Sequence, residues 1–393
     1  MSHTNKGRQV ARISNIEKLE RAINEERREL KQNRKNRKKS KRLRITKKFF
    51  IFNFCLGTLC FYIGLFIVYG PLTQFRNWFI TTAEASMRHK YYARWLYDEE
   101  TISYVMNNNN VIETNSSTDT SLYQIASTDA NMQVKKYKNE YERQILERDP
   151  EHLDYKIIEF KNEKVEGTGR VFDGFLAVIY DPSRIHTVTT QYLGTRGEYL
   201  VNMAKRVKAL VAVNGGGFVD PNYNSNGATP LGLTISKGKV MSSLSYRGAG
   251  GIIGFNQDDQ LVLTKCSQSQ AQTLGIRDCV TFGPFLIVNG EPSEVLGNGG
   301  WGIAPRTAIG QRADGIVLFL VIDGRSGLKQ GVDMNDLIEL MQRYDVINAA
   351  NLDGGTSSVM IVNGELINDP IDSTGAHKTR WISSGFYLAP EDE

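Results

Sequence analysis

Twenty-one consecutive residues, Phe49 to Tyr69, carry no charge and only one strongly polar side chain, Asn53. At 1.5 Å of rise per residue, about 20 helical residues cross the hydrocarbon core of a bilayer. The run therefore predicts a transmembrane helix. It exceeds the roughly 7–15 residue apolar segment of a cleaved signal peptide, and no small-residue cleavage motif follows Gly70-Pro71. The chain is thereby divided into two regions of opposite charge. Residues 1–48 hold 18 Lys and Arg against five acidic residues, whereas residues 49–393 hold 30 against 38, so the overall charge of +5 describes neither part. With Lys47 and Lys48 abutting the apolar run, the positive-inside rule places the N-terminus in the cytoplasm and everything after about residue 70 outside it. The expected location is the cell membrane, with a single pass.

The basic arm contains no aromatic residue. Anionic lipid at the membrane surface accounts for its charge better than nucleic acid does. Upstream, Ile13 to Leu30 suits a solvated helix of mixed charge. Residues 71–150 read as a helical stalk and a loop. Ile80, Ala83, Met87, Tyr91 and Trp95 recur at steps of three and four, which marks one helical face, and His89 within it is structural or exposed. The stretch Asn107 to Ser127 is rich in Asn, Ser and Thr and predicts a loop or hinge.

Residues 151–393 form the expected globular domain. Tyr155–Lys161, Phe175–Tyr180, Ile185–Gln191 and Leu210–Val213 are strand-like, and Glu198 to Lys208 has helical spacing. Ile316–Ile322 is an almost unbroken apolar run, as in a strand buried on both faces. Asp333 can cap a helix over Met334–Tyr344, and Val346–Leu352 is the next strand. Strand, helix and strand make a βαβ unit. Asp323 and Asp353 should then lie at the carboxyl ends of neighbouring parallel strands, where open sheets hold ligands. Three hairpins are expected at Thr234–Lys239, Leu286–Glu291 and Ile361–Glu365. The fold class is α+β: a β-rich domain with a mixed sheet, a βαβ unit and several hairpins, preceded by one transmembrane helix and a helical stalk.

Three strand-like runs end in Asn or Asp followed by glycine: Asn214-Gly215, Asp323-Gly324 and Asp353-Gly354-Gly355. Asp-Gly alone is a common turn signal. Three such junctions in one domain suggest a shared polar pocket. Arg306, beside Thr307, sits in an otherwise apolar or small segment and needs a carboxylate or anionic ligand if it is buried. Arg325 and Arg380 complete a candidate set with Asn351, Ser357 and Ser358. Arginine forks suit phosphate oxygens, and carboxylates suit proton transfer or work at an anomeric carbon. Ser357-Ser358 lacks a nucleophile-elbow motif, and the glycines after Asn214 lack a phosphate-loop lysine. Five histidines and no CxxC pair argue against structural zinc. No cofactor is expected. Cys266 and Cys279 lie where a disulfide is permitted, but sequence leaves their pairing open.

At these residues the chain resembles the phosphodiester glycosidases. The resemblance rests on Asn214-Gly215-Gly216-Gly217-Phe218, Arg306-Thr307-Ala308-Ile309-Gly310, Asp323-Gly324-Arg325-Ser326 and Asn351-Leu352-Asp353-Gly354-Gly355-Thr356-Ser357-Ser358, in that order, and covers about Tyr155 to Leu388. Gly217 and Thr356 depart from the family pattern. What the resemblance implies is hydrolysis of a sugar-1-phosphodiester at its glycosidic side. Asp323 and Asp353 would then be the catalytic carboxylates, and Arg306, Arg325 and Arg380 would hold phosphate. Asn214, Gly215, Thr307, Asn351, Ser357, Ser358 and the Gly354 and Gly355 amides would bind substrate. The basic arm, span and stalk look like those of membrane-anchored bacterial relatives linked to exopolysaccharide or cell-wall metabolism. The competing expectation is a noncatalytic anchored module that binds anionic surface polysaccharide.

Overall fold

The computed structural model describes residues 3–391 apart from 86–89, 126–135, 220–225 and 245–249, with side chains from residue 18 onward. Met87, His89 and the last two residues of the expected 107–127 loop lie outside this set. Two compact units are present, Met1–Arg76 and Asn77–Glu393.

In the first unit one helix runs unbroken over His3–Tyr69, 67 residues, so the basic arm and the apolar run share a single rod. Phe50 and Phe54 are 69% and 76% exposed, as are most of their apolar neighbours. Among the described residues this is the one helix long and apolar enough to cross a membrane.

The second unit is built on a seven-stranded sheet ordered Glu291–Pro292, Phe285–Val288, Val346–Leu352, Arg306–Arg312, Val317–Ile322, Val171–Ile179 and Tyr155–Lys164. The interior strand Val317–Ile322 shows why its sequence is apolar throughout. Val317, Phe319 and Val321 enter one core cluster, while Leu318, Leu320 and Ile322 enter another on the opposite face. Alternation with period two buries both sets. One face is covered by the helix Met334–Gln342, whose Leu337, Ile338, Leu340 and Met341 are buried. Asp333 caps that helix in a reciprocal box with Asp336. The other face meets two five-stranded sheets, one containing Val211–Asn214, Met360–Val362 and Ser384–Leu388, the other Gly251–Asn256, Leu261–Thr264 and Ile276–Phe282.

The expected βαβ unit is present in split form. The strands Val317–Ile322 and Val346–Leu352 run the same way, but Arg306–Arg312 lies between them and pairs antiparallel with both. Asp323 and Asp353 are therefore one strand apart instead of neighbours. Each of the three hairpins turns on two left-handed residues: Lys237-Gly238, Asn289-Gly290 and Asn363-Gly364.

The stalk is not free-standing. Within the second unit Ile80, Ala83, Ala93 and Tyr97 are buried, and the Asn298 amide donates to Thr81 Oγ1 at 2.8 Å. The following loop is docked as well. Tyr123 is buried, donates to the Leu261 carbonyl at 2.9 Å and accepts from Asn348 Nδ2 at 2.9 Å. A fixed phenol with both hydrogen bonds made anchors a segment that composition alone marks as loose. Cys266 and Cys279 are both free thiols.

Phe386 is fully buried, with ring centroids 6.3 Å from Phe255 and 6.4 Å from Phe319, and so joins all three sheets. Phe386→Ala should cost about 3–5 kcal/mol of stability. Denaturant unfolding of the wild-type and variant chains measures it, and a loss below about 1 kcal/mol would place the core elsewhere.

Candidate active site

Asn214 ends the strand Val211–Asn214 and is buried. Its Oδ1 accepts from Thr307 Oγ1 at 2.7 Å and from the Val359 amide at 3.2 Å, while its Nδ2 donates to the Asp353 carbonyl at 2.6 Å. The Asp353 amide donates to the Gly215 carbonyl at 3.1 Å. These bonds pin the turn after Val346–Leu352 to the neighbouring sheet. They also hold Asp353 in the wall of a cavity of about 1000 Å³.

Asp353 carries the strongest chemical signal in that wall. Its Oδ1 accepts from the Gly354 amide at 3.1 Å, and its Oδ2 is buried with no hydrogen-bond partner among the described residues. Burial pushes its carboxyl above the ordinary carboxylate value, and Arg380, Ser357, the Gly354 amide and Arg306 offset part of that rise. Asp372, also in the wall, is shifted the other way. Lys378 pairs with it at 2.8 Å, and Thr374 Oγ1 and the Thr374 and Ala376 amides donate to it, which holds it well below the usual range. The two carboxylates of this wall thus differ in proton affinity, Asp353 raised by burial and Asp372 lowered by its donors.

Four cations line the same cavity: Arg306, Arg325, Lys378 and Arg380. Arg306 is buried, and burial takes its guanidinium down to about 10, so it stays charged at neutral pH. It is largely committed to the protein, because Nε donates to the Val332 carbonyl at 3.3 Å and Nη2 to the Trp301 and Gly302 carbonyls at 2.7 Å each. Arg325, at φ 62°, donates through Nη1 to Thr356 Oγ1 and to the Ile371 carbonyl. The Arg380 guanidinium lies 4.6 Å from the Phe218 ring centroid, a cation–π contact.

The two glycines serve close approach instead of donating to ligand. The Gly354 N–H is spent on Asp353, and the Gly355 N–H goes to the Pro305 carbonyl at 2.8 Å. Gly355 has φ 65°, and a Cβ there would stand 2.9 Å from Arg325 Nη2. The lining also contains aromatic residues, in part from the N-terminal segment: Trp78, Phe79 and Tyr92, with Phe282 and Trp301.

Of the residues singled out in the sequence, Arg306, Arg325, Asp353, Gly354, Gly355 and Arg380 meet in this cavity. Asn214, Gly215 and Thr307 lie behind it, and both polar ends of the Asn214 side chain are used internally. Asn351 donates to the Gly283 carbonyl, and Ser357 and Ser358 are buried. Asp323 is outside the lining. Its carboxylate accepts from Asn368 Nδ2 at 2.8 Å and from the Asp369 amide, and burial raises it. The inserted strand 306–312 is what separates it from Asp353. Sequence reasoning missed Asp372, Lys378 and the aromatic lining. The Asp372-Ser373-Thr374-Gly375 turn was the only local signal, and it is one shared by ordinary surface turns.

Comparison with known proteins sets this layered, mostly antiparallel fold beside a described family. Residues 207–389 match the family described as phosphodiester glycosidase. The second unit resembles that family over these residues. It is 33% identical over 204 residues to the SPbeta prophage-derived uncharacterized protein YomE of Bacillus subtilis (strain 168), covering 49% of this chain and 30% of that protein. It is 27% identical over 237 residues to N-acetylglucosamine-1-phosphodiester alpha-N-acetylglucosaminidase of Mus musculus, covering 52% of this chain and 42% of that protein. The chain thus spans less than half the length of either relative. Among solved structures, the zebrafish N-acetylglucosamine-1-phosphodiester alpha-N-acetylglucosaminidase catalytic domain, auto-inhibited by its pro-peptide, superposes with a TM-score of 0.51 at 23% identity, over 61% of this chain and 84% of that one. That likeness establishes the shared fold.

Replacing Asn214 by Ala leaves a buried hydroxyl, amide and carbonyl without their partner. Asn214→Ala should lose about 1–3 kcal/mol or more in denaturant unfolding, and Thr307→Val, which removes one of these bonds, should lose less. Equal stability of the Asn214→Ala and wild-type chains would rule out the clamp.

Proposed function

We propose that the domain hydrolyses the glycosidic bond of a sugar-1-phosphodiester, and that the chain is held in the cell membrane by the helix containing Phe49–Tyr69, with its basic arm on the cytoplasmic side against anionic lipid. The observation that carries the chemistry is Asp353, a carboxylate in the cavity wall with a buried oxygen that has no hydrogen-bond partner among the described residues and a raised proton affinity among guanidinium groups.

Phosphate is a good leaving group, so the reaction asks little of a general acid. It asks for cations at the diester and a carboxylate at the water. Arg325, Arg380 and Lys378 supply the cations, and Arg306 adds positive field while shaping the loop around it. Asp353, when ionised, takes a proton from water. The water oxygen bonds to C1 of the sugar, the C1–O bond breaks, and the bridging oxygen leaves with the phosphate as a monoester. Asp372 stays charged and helps to hold Arg325 and Lys378 in place. The aromatic lining offers flat apolar faces to a sugar ring. A site of this chemistry outside the membrane fits a surface or cell-wall polysaccharide with glycosyl phosphate linkages.

Asp353→Asn should lower kcat/KM by about 10²–10⁴, the usual worth of a general base, as measured by release of reducing sugar from a glycosyl-1-phosphate methyl diester. Asp323→Asn should keep the rate within about tenfold, since that carboxylate lies off the cavity. The reverse ranking would overturn the assignment. Because a base works ionised and burial raises Asp353, kcat/KM should fall as pH drops through a value above the roughly 3.9 of an ordinary Asp. A profile flat down to pH 4 would contradict this.

A further inference from the structure

A second cleft, of about 570 Å³, is lined by Trp381, the residue after Arg380 of the first cavity. Its chemistry is aromatic and cationic. The Arg196 guanidinium carbon lies 4.0 Å from the Tyr192 ring centroid and 5.4 Å from that of Trp381. A planar cation held by two rings has its N–H edge oriented in advance for an anion. Tyr199 meets Trp381 edge-on, with centroids 6.2 Å apart, and braces the indole. The floor is Glu198, only 6% exposed, bound to Arg206 Nη2 at 3.2 Å and accepting from Gln191 Nε2 at 3.2 Å. With that acid already neutralised, Arg196 and Lys205 leave the cleft an excess of positive charge.

The connection to the first cavity is direct. The Glu198 and Ile382 backbones exchange hydrogen bonds at 3.0 Å each way, which ties the wall of the second cleft to the residue after Trp381. Arg380 lines the candidate active site and Trp381 the second cleft, with Cα atoms about 3.8 Å apart. A chain-like ligand crossing the rim could place adjacent repeats in both. General attraction to polyanions does not explain the cleft, because residues 49–393 carry 38 acidic against 30 basic residues.

We propose that the second cleft is a subsite for a neighbouring sugar-phosphate unit, with its sugar face on Trp381 and its phosphate on Arg196, so that the substrate is a poly(glycosyl phosphate) in preference to a single diester. This rests on the hydrolytic reading above. The test uses the full chain in detergent, with a methyl diester of N-acetylglucosamine 1-phosphate as the short substrate and a chain of N-acetylglucosamine 1-phosphate repeats as the long one. Arg196→Gln and Trp381→Ala should each raise KM for the long substrate about tenfold, the worth of one charge-assisted hydrogen bond. Its kcat and both constants for the short substrate should be unchanged. Equal effects on the two substrates, or none on the long one, would overturn the subsite. Direct binding separates this from a failure of the hydrolytic reading: Asp353→Asn should still bind the long chain, and adding Arg196→Gln should weaken that binding about tenfold whether or not the wild type turns over. Unchanged binding would sink the proposal on its own.

Discussion

The site depends on one buried amide. Asn214 sits where two sheets meet, and its three hydrogen bonds reach Thr307 on one sheet, Val359 at the edge of the other, and the carbonyl of Asp353 in the turn between them. A side-chain amide offers both acceptor and donor, so it can join a hydroxyl, an N–H and a C=O that would otherwise be buried unpaired. Each such loss costs about 1–3 kcal/mol. That penalty specifies the geometry: the Asp353 turn has one satisfied position, and the carboxylate is held in a cavity wall whatever the cavity contains.

Around this clamp, charge is arranged by burial as much as by pairing. Arg306 spends its donors on carbonyls of the 301–302 loop and the 332 backbone, and so fixes the rim carrying Trp301. Arg325 adopts a left-handed backbone and closes on Gly355, itself at φ 65°, where a Cβ would stand 2.9 Å from Arg325 Nη2. Guanidiniums that are kept charged near a carboxylate of raised proton affinity suit an anionic substrate that reacts beside a base. The residues after the long N-terminal helix supply another wall: Thr82 packs where Gly302, at φ 60°, has no Cβ to obstruct it.

Much of this was legible in the sequence because it is local. The strand Val346–Leu352, the Asp333 cap and the Asn-Gly hairpins follow from periodicity and turn chemistry over a few residues. The pairing of Asp323 with Asp353 was misjudged because strand adjacency is a long-range property. Arg306–Arg312 precedes the βαβ unit in sequence yet inserts into it in space. The glycine amides, expected to face ligand, are used by Asp353 and Pro305, which nothing in a Gly-Gly pair reveals. Asp372, Lys378 and Trp78 join the cavity from opposite ends of the chain, and only tertiary packing brings them together.

The most direct test is to follow turnover of a glycosyl-1-phosphate methyl diester in ¹⁸O-labelled water. Attack by water at the sugar carbon, with departure of the phosphate, predicts label at the sugar C1 hydroxyl and none in the phosphomonoester, with product accumulating far beyond one equivalent per chain. Label in the phosphate, or binding without any release of sugar, would contradict the account.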